Sequence, residues 1–182
     1  MKFGIFALLF LLFSVTAQEI GFPDGKYKGP WNVEIGQEFG GTLTRCYPVT
    51  LPDNKPAVCL QPMLGKKGTY CSLNRRVPQG SMPHIEIEVA RGDFRALRLR
   101  FLDEKGQTFL MQYDLKGEPK TIQKITCSLA NGKRIAVYGG AADGEWRGKL
   151  VRLSLLADSS VADSKASAPK IYFRSIRLVN SN

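Results

Sequence analysis

The sequence predicts an antiparallel β-sandwich. Apolar residues alternate with polar ones over most of the chain, the period of strands that bury one face. Turn-forming residues break these runs at short, regular intervals. After the first 17 residues, no window sustains apolar residues at helical spacing with caps at its ends.

The N-terminus has a different logic. Lys2 precedes an apolar run over residues 3–13, and Ser14, Val15, Thr16 and Ala17 supply the small residues a signal peptidase reads. The run is too short to cross about 30 Å of hydrocarbon. Residues 1–17 are therefore expected to be a secretory signal peptide, and residues 18–182 a single β-sandwich domain. The protein would be secreted, or periplasmic in a bacterium. No second apolar run of membrane-spanning length exists, so no transmembrane segment is expected. No cysteine follows the cleavage point, against a bacterial lipid anchor, and no glycosylation acceptor of the Asn-x-Ser/Thr type is present. Gln18 would become the new N-terminus.

Trp31-Asn32-Val33 reads as a first strand. Residues 46–83 are rich in proline and hold three of the four cysteines; they read as an irregular, cross-linked excursion, with a tight hairpin at Gly65–Gly68. Strands follow at 85–89, where Ile85, Ile87 and Val89 alternate with Glu86 and Glu88, and at 97–101, where Leu97, Leu99 and Phe101 alternate with Arg98 and Arg100. Residues 103–106 form a tight turn into the strand of Phe109, Met111, Tyr113 and Leu115. Asn131-Gly132 between 125–130 and 133–138 predicts a hairpin, because both residues tolerate positive φ. Asp143-Gly144 breaks the chain before Trp146. Strands at 151–155 and 171–179 flank a Ser/Ala/Asp-rich segment, 157–169, expected to be a mobile surface loop.

Charge bounds the partners. The chain has 26 Lys and Arg against 16 Asp and Glu; removing residues 1–17 takes Lys2 and no acid, leaving +9. An exported basic protein meets acidic glycans, anionic surfaces or nucleic acid with such charge, or uses it for solubility. The basic residues are spread along the chain with no block of five or six, which argues against nucleic acid.

Cys46, Cys59, Cys71 and Cys127 meet an oxidising compartment and are expected to form two disulfides. Hairpin register places Cys59 and Cys71 on opposite faces, so that one of them pairs with Cys46 and the other with Cys127. No Cys-x-x-Cys spacing supports zinc.

Catalytic motifs are weak. His84 is the one histidine, and no Gly-x-Ser-x-Gly elbow accompanies it. Glu86 and Glu88 share a strand face, as paired carboxylates of jelly-roll glycosidases do. The third acid of the Glu-x-Asp-x-x-Glu pattern is missing, since Arg91 ends the run.

The cadence of Arg95 to Phe101, Asp103 to Phe109, Trp146 to Leu153 and Ile171 to Leu178 resembles the galactose-binding-like jelly roll found in many carbohydrate-binding modules. The resemblance covers residues 85–179, with an echo at 31–44. It implies a jelly-roll β-sandwich that binds sugars without catalysis, through aromatic platforms and polar groups on one sheet or on rim loops, and often a structural calcium. Trp31, Trp146, Tyr113 and Tyr138 are the platform candidates. Arg98, Arg100 and Glu86 are candidates for polar contacts to the ligand. Three functions are then open: binding of a carbohydrate, acidic in view of the charge; contact with an extracellular protein through 46–83, around Met63, Leu64 and Tyr70; and polysaccharide chemistry at Glu86 and Glu88.

Overall fold

A computed structural model describes residues 16–22, 26, 30–36, 43–63, 69–77, 83–163 and 167–180. Among these, twelve strands run in chain order: β1 (Thr16–Glu19), β2 (Trp31–Glu34), β3 (Leu43–Thr50), β4 (Pro56–Met63), β5 (Tyr70–Arg76), β6 (His84–Ala90), β7 (Ala96–Asp103), β8 (Thr108–Asp114), β9 (Gln123–Ser128), β10 (Lys133–Tyr138), β11 (Leu150–Asp158) and β12 (Ile171–Asn180). A 3-10 turn, Ser159–Val161, follows β11.

The strands form two antiparallel sheets. The first has the order β3-β4-β12-β6-β9, and the second β10-β8-β7-β11-β5-β2. β12 is long enough to take two partners along one edge: β4 pairs with Ile171–Phe173, and β1 pairs from Arg177 onward. The inward residues of both sheets meet in one core, with Leu60, Leu73, Ile85, Ile87, Leu97, Leu99, Phe101, Phe109, Met111 and Phe173 fully buried. Each such side chain contributes about 1.5–3 kcal/mol of hydrophobic stabilisation.

The strands read at 31–33, 85–89, 97–101, 109–115, 151–155 and 171–179 are all present, as is the turn at 103–106, where Gly106 adopts φ +81°. Four expectations need correction. Residues 46–83 hold most of β3 and all of β4 and β5, regular strands shared between the sheets. The prolines fit because Pro48 lies on the edge strand β3 and Pro56 opens β4, positions where a missing N–H is tolerated.

The hairpin at Gly65–Gly68 lies outside the described residues, and β4 and β5, which it would join, belong to different sheets. Asn131-Gly132 also links different sheets, β9 to β10. Asn131 closes this arch by accepting from Ser128 N at 2.8 Å and donating to Thr126 O at 2.8 Å. A Cβ on Gly132 would stand 2.6 Å from the Tyr113 ring, so close approach, not positive φ, requires glycine here. Finally, the segment 157–169 begins inside β11 and the 3-10 turn, with Ala157 and Val161 in the core and Ala162 bridged to Phe94.

The two expected disulfides are also absent: all four cysteines are free thiols. β4 and β9, which carry Cys59 and Cys127, have β12 and β6 between them. Strand spacing then separates them by roughly 14 Å, beyond the reach of about 7 Å for a bridge. Cys59 faces outward on the first sheet beside Tyr47 and Tyr172, whereas Cys71 faces the core from the second. Burial pushes the Cys46 and Cys71 thiols up to about 12.

The apolar run at 3–13 lies outside the described residues. The expected cleavage point after Ala17 falls within β1, leaving Gln18 and Glu19 opposite Leu178 and Arg177. Among the described residues no helix is long and apolar enough to cross a membrane.

Candidate functional site

Alternation on the second sheet sends Leu73, Leu99, Phe101, Met111 and Leu155 inward, so the residues between them must face outward. Register gathers these into rows. One row runs Glu34, Ser72, Leu156, Arg98, Gln112. The next runs Asn32, Asn74, Ser154, Arg100, Leu110, and a third Arg76, Arg152, Leu102, Thr108, Tyr138. The result is a polar, cationic face built from strands distant in sequence.

Outward orientation does not expose this face fully. Ser72 and Ser154 are 0% and 2% exposed, and Arg98, Arg100 and Arg152 are half-buried. Arginine stems cover neighbouring surface while their heads reach water. Arg98 donates to Asp158 at 2.8 Å, and the pair is only 15% exposed on each side. The Arg100 guanidinium stands 4.4 Å from the Tyr70 ring centre and donates to its hydroxyl at 3.2 Å. Four buried polar atoms on the face have no hydrogen-bond partner among the described residues: Ser72 Oγ, Asn74 Nδ2, Arg100 Nε and Arg152 Nε. A buried unpaired donor costs about 1–3 kcal/mol, so four on one surface mark a place that a ligand's acceptors would stabilise.

The structure separates the residues singled out in the sequence. Arg98 and Arg100 lie at the centre of the face, and Tyr138 lies at its edge, 41% exposed. Trp146 is half-buried in the loop after β10; its ring packs 5.4 Å from Phe109 and its Nε1 donates to Gly148 O. Tyr113 points inward, with its hydroxyl donating to Ser128 O at 2.7 Å, and burial raises its pKa far above the ordinary value. Trp31 is core, bonded through Nε1 to Ile20 O. Neither inward ring is a platform, because each satisfies its polar edge inside the protein.

Glu86 and Glu88 lie on the first sheet, so they cannot join Arg98 and Arg100; β6 and β7 are consecutive in sequence but lie in different sheets. A hydrogen bond from Lys124 at 2.8 Å, with Arg177 at 3.6 Å, holds the Glu86 carboxyl below the usual carboxylate range. Such a group is a poor proton donor near neutral pH. Among the described residues no group of three or more His, Cys, Asp or Glu stands together to hold a metal. Asn74, Ser72, Arg152 and Ser154 escaped sequence reading; the signal was their position between buried residues of β5 and β11.

No family model and no curated sequence matches the chain. Solved structures do resemble it. The family 11 carbohydrate-binding module from Clostridium thermocellum, solved in complex with a β-1,3-1,4-mixed-linked tetrasaccharide, superposes with a TM-score of 0.62 at 13% identity, covering 92% of this chain and 98% of that one. The same family's module from the cellulosomal cellulase Lic26A-Cel5E of that organism gives 0.60 at 12% identity, covering 90% and 95%. A family 29 carbohydrate-binding module gives 0.52 at 10%, covering 92% and 90%. The chain therefore has the jelly-roll β-sandwich fold of carbohydrate-binding modules, in agreement with the resemblance read from its C-terminal half.

Proposed function

We propose that this protein is an exported, non-catalytic carbohydrate-binding module that takes an acidic glycan on the outer face of its second sheet. The observation that carries the reading is the cluster of Ser72, Asn74, Arg100 and Arg152, whose buried polar atoms lack partners among the described residues, beside the Tyr70 ring. Sugar hydroxyls and carboxylates supply the missing acceptors, and guanidinium groups favour the anionic ones. The neighbours' fold and the +10 net charge agree with this assignment.

The test is a glycan array followed by calorimetry on the mature chain. Binding of carboxylated or sulfated oligosaccharides that persists at physiological salt is expected. Arg100→Ala should weaken it by about 1.5–3 kcal/mol, roughly 10- to 150-fold. No glycan bound, or no loss in the variant, overturns the reading. N-terminal sequencing of the exported chain should begin at Gln18.

Contact with an extracellular protein has one observation behind it. Leu43 and Met63 face each other across β3 and β4 and are 76% and 43% exposed. Tyr70 takes no part, being buried. This reading gains only if the array is blank and Leu43→Ser/Met63→Ser abolishes binding of the chain to cells.

A further inference from the structure

The outer face of the first sheet, on the opposite side of the sandwich, carries a cleft of about 540 Å³. That volume suits a ligand of mono- to disaccharide size, since small-molecule pockets run from about 300 to 1,000 Å³. Tyr47, Val49, Leu51 and Tyr172 give it an apolar, partly aromatic lining, and Lys120 and Lys170 add two ammonium groups.

Three separate segments build the cleft, and each is tied down. Arg174 Nη2 donates to both carboxylate oxygens of Asp53 at 2.8 Å, fixing the β3–β4 turn against β12. Gly92 N donates to Pro119 O at 2.6 Å, anchoring the loop that carries Lys120. Lys170 N donates to Asp93 Oδ2 at 2.8 Å, and Asp93 N donates to Lys170 O at 2.9 Å. The cleft is thus formed before any ligand arrives, which lowers the ordering cost of binding.

Its lysines are available to a ligand. Neither Lys120 nor Lys170 has an ion pair among the described residues. Asp53, on the β3–β4 turn, is paired with Arg174, and the Asp93 carboxylate accepts from the Lys170 backbone N–H. An anion in the cleft meets two ammonium groups, neither of which has to leave an ion pair to bind it.

We propose that this cleft is a second binding site, specific for a small organic carboxylate with one flat apolar face, of which a uronate ring is the type. The ring face rests on the tyrosines and Leu51, while the carboxylate meets Lys120 and Lys170. The proposal stands independently of the arginine face, because the two lie on opposite sheets.

The test titrates the full mature chain, observed by NMR, with sodium D-glucuronate, D-glucose and sodium sulfate in turn. Glucuronate is expected to shift the Tyr47 and Tyr172 resonances with millimolar affinity, and glucose and sulfate are not. Lys120→Gln at an exposed side chain and Lys170→Gln at a half-buried one keep the stem and remove only the charge, and each should weaken glucuronate about tenfold, the value of one charge-assisted bond. No shift at about ten times that millimolar range, equal shifts with sulfate, or unchanged affinity in both variants overturns the site. Any of these failures leaves the arginine face untouched, since that reading is decided by the array and by Arg100→Ala.

Discussion

At Gly92 and Gly106 the same backbone conformation has different consequences. Both have positive φ, +54° and +81°, which costs a side-chain-bearing residue about 1 kcal/mol or more. A Cβ at Gly106 meets nothing within 4 Å, whereas one at Gly92 stands 1.8 Å from the Lys170 carbonyl oxygen, a backbone atom that cannot swing away. Gly92→Ala should therefore lower Tm by about 6–12 °C, from a cost of about 3 kcal/mol, while Gly106→Ala lowers it by about 2–4 °C. Thermal unfolding of the pair checks the contrast, and equal shifts would refute it. The thiols give a second residue-scale expectation. Burial raises Cys46 and Cys71 from 9.0 to about 12, and raises Cys127 as well, so little reactive thiolate exists at pH 8. A thiol reagent should label the native chain slowly and all four cysteines in guanidinium; fewer than four would reveal a disulfide. The folded state holds these protons more tightly than the unfolded one. Stability from this source is complete below pH 9 and is lost as pH rises from 9 towards 12. Tyr172, raised by burial from 10.0 to about 12, adds to the same loss above pH 10. Urea midpoints that stay flat through neutral pH and fall above 9 would bear this out.

At the scale of elements, Glu19 shows how the end of β1 that remains after the expected cleavage at Ala17 is held. Glu19 accepts from Gly21 N at 2.7 Å and Ile176 N at 3.1 Å through one oxygen, and from Ser175 Oγ at 2.7 Å through the other. Trp31 Nε1 and Arg75 both donate to Ile20 O just beyond. Because Glu19 is exposed, Glu19→Ala should cost only about 1 kcal/mol, about 2–4 °C in Tm. Hydrogen exchange should show the loss at β1 and the second half of β12, with the core strands unchanged. Besides the short β2, the strands legible in the sequence, β6, β7, β8, β11 and β12, are those where one face is buried and alternation is clean. β3 and β4 were hidden because Pro48 and Pro56 read as interruptions, although edge and first-residue positions accept proline. Which sheet a strand joins was not legible at all. Asn131-Gly132 has the chemistry of a hairpin, yet it spans the sandwich, because the burial of β9 against β6 and of β10 against β8 outweighs local turn preference. The candidate face failed to emerge for the same reason: Asn74 and Ser154 become neighbours only once β5 and β11 pair.

For the whole molecule the question is whether the surplus of positive charge or its placement does the binding. A net charge of +10 attracts any polyanion, and that attraction fades as salt shortens the Debye length from about 10 Å at 0.1 M to about 3 Å at 1 M. A face of oriented, half-buried donors behaves differently, because hydrogen bonds from desolvated guanidinium groups are screened much less than exposed charges. Two double variants separate these terms. Arg100→Ala/Arg152→Ala and Lys105→Gln/Lys149→Gln each remove two positive charges, so each leaves the same net charge. The first pair lies on the outer face of the second sheet, and the second pair is exposed in loops beyond strand ends. If placement governs, affinity for a carboxylated oligosaccharide at physiological salt should fall at least about tenfold in the arginine variant and stay within about twofold in the lysine variant. If net charge governs, the two variants should weaken binding equally, and both should lose it at high salt. The first outcome makes the arginine face a recognition surface; the second reduces it to part of a generally basic exterior.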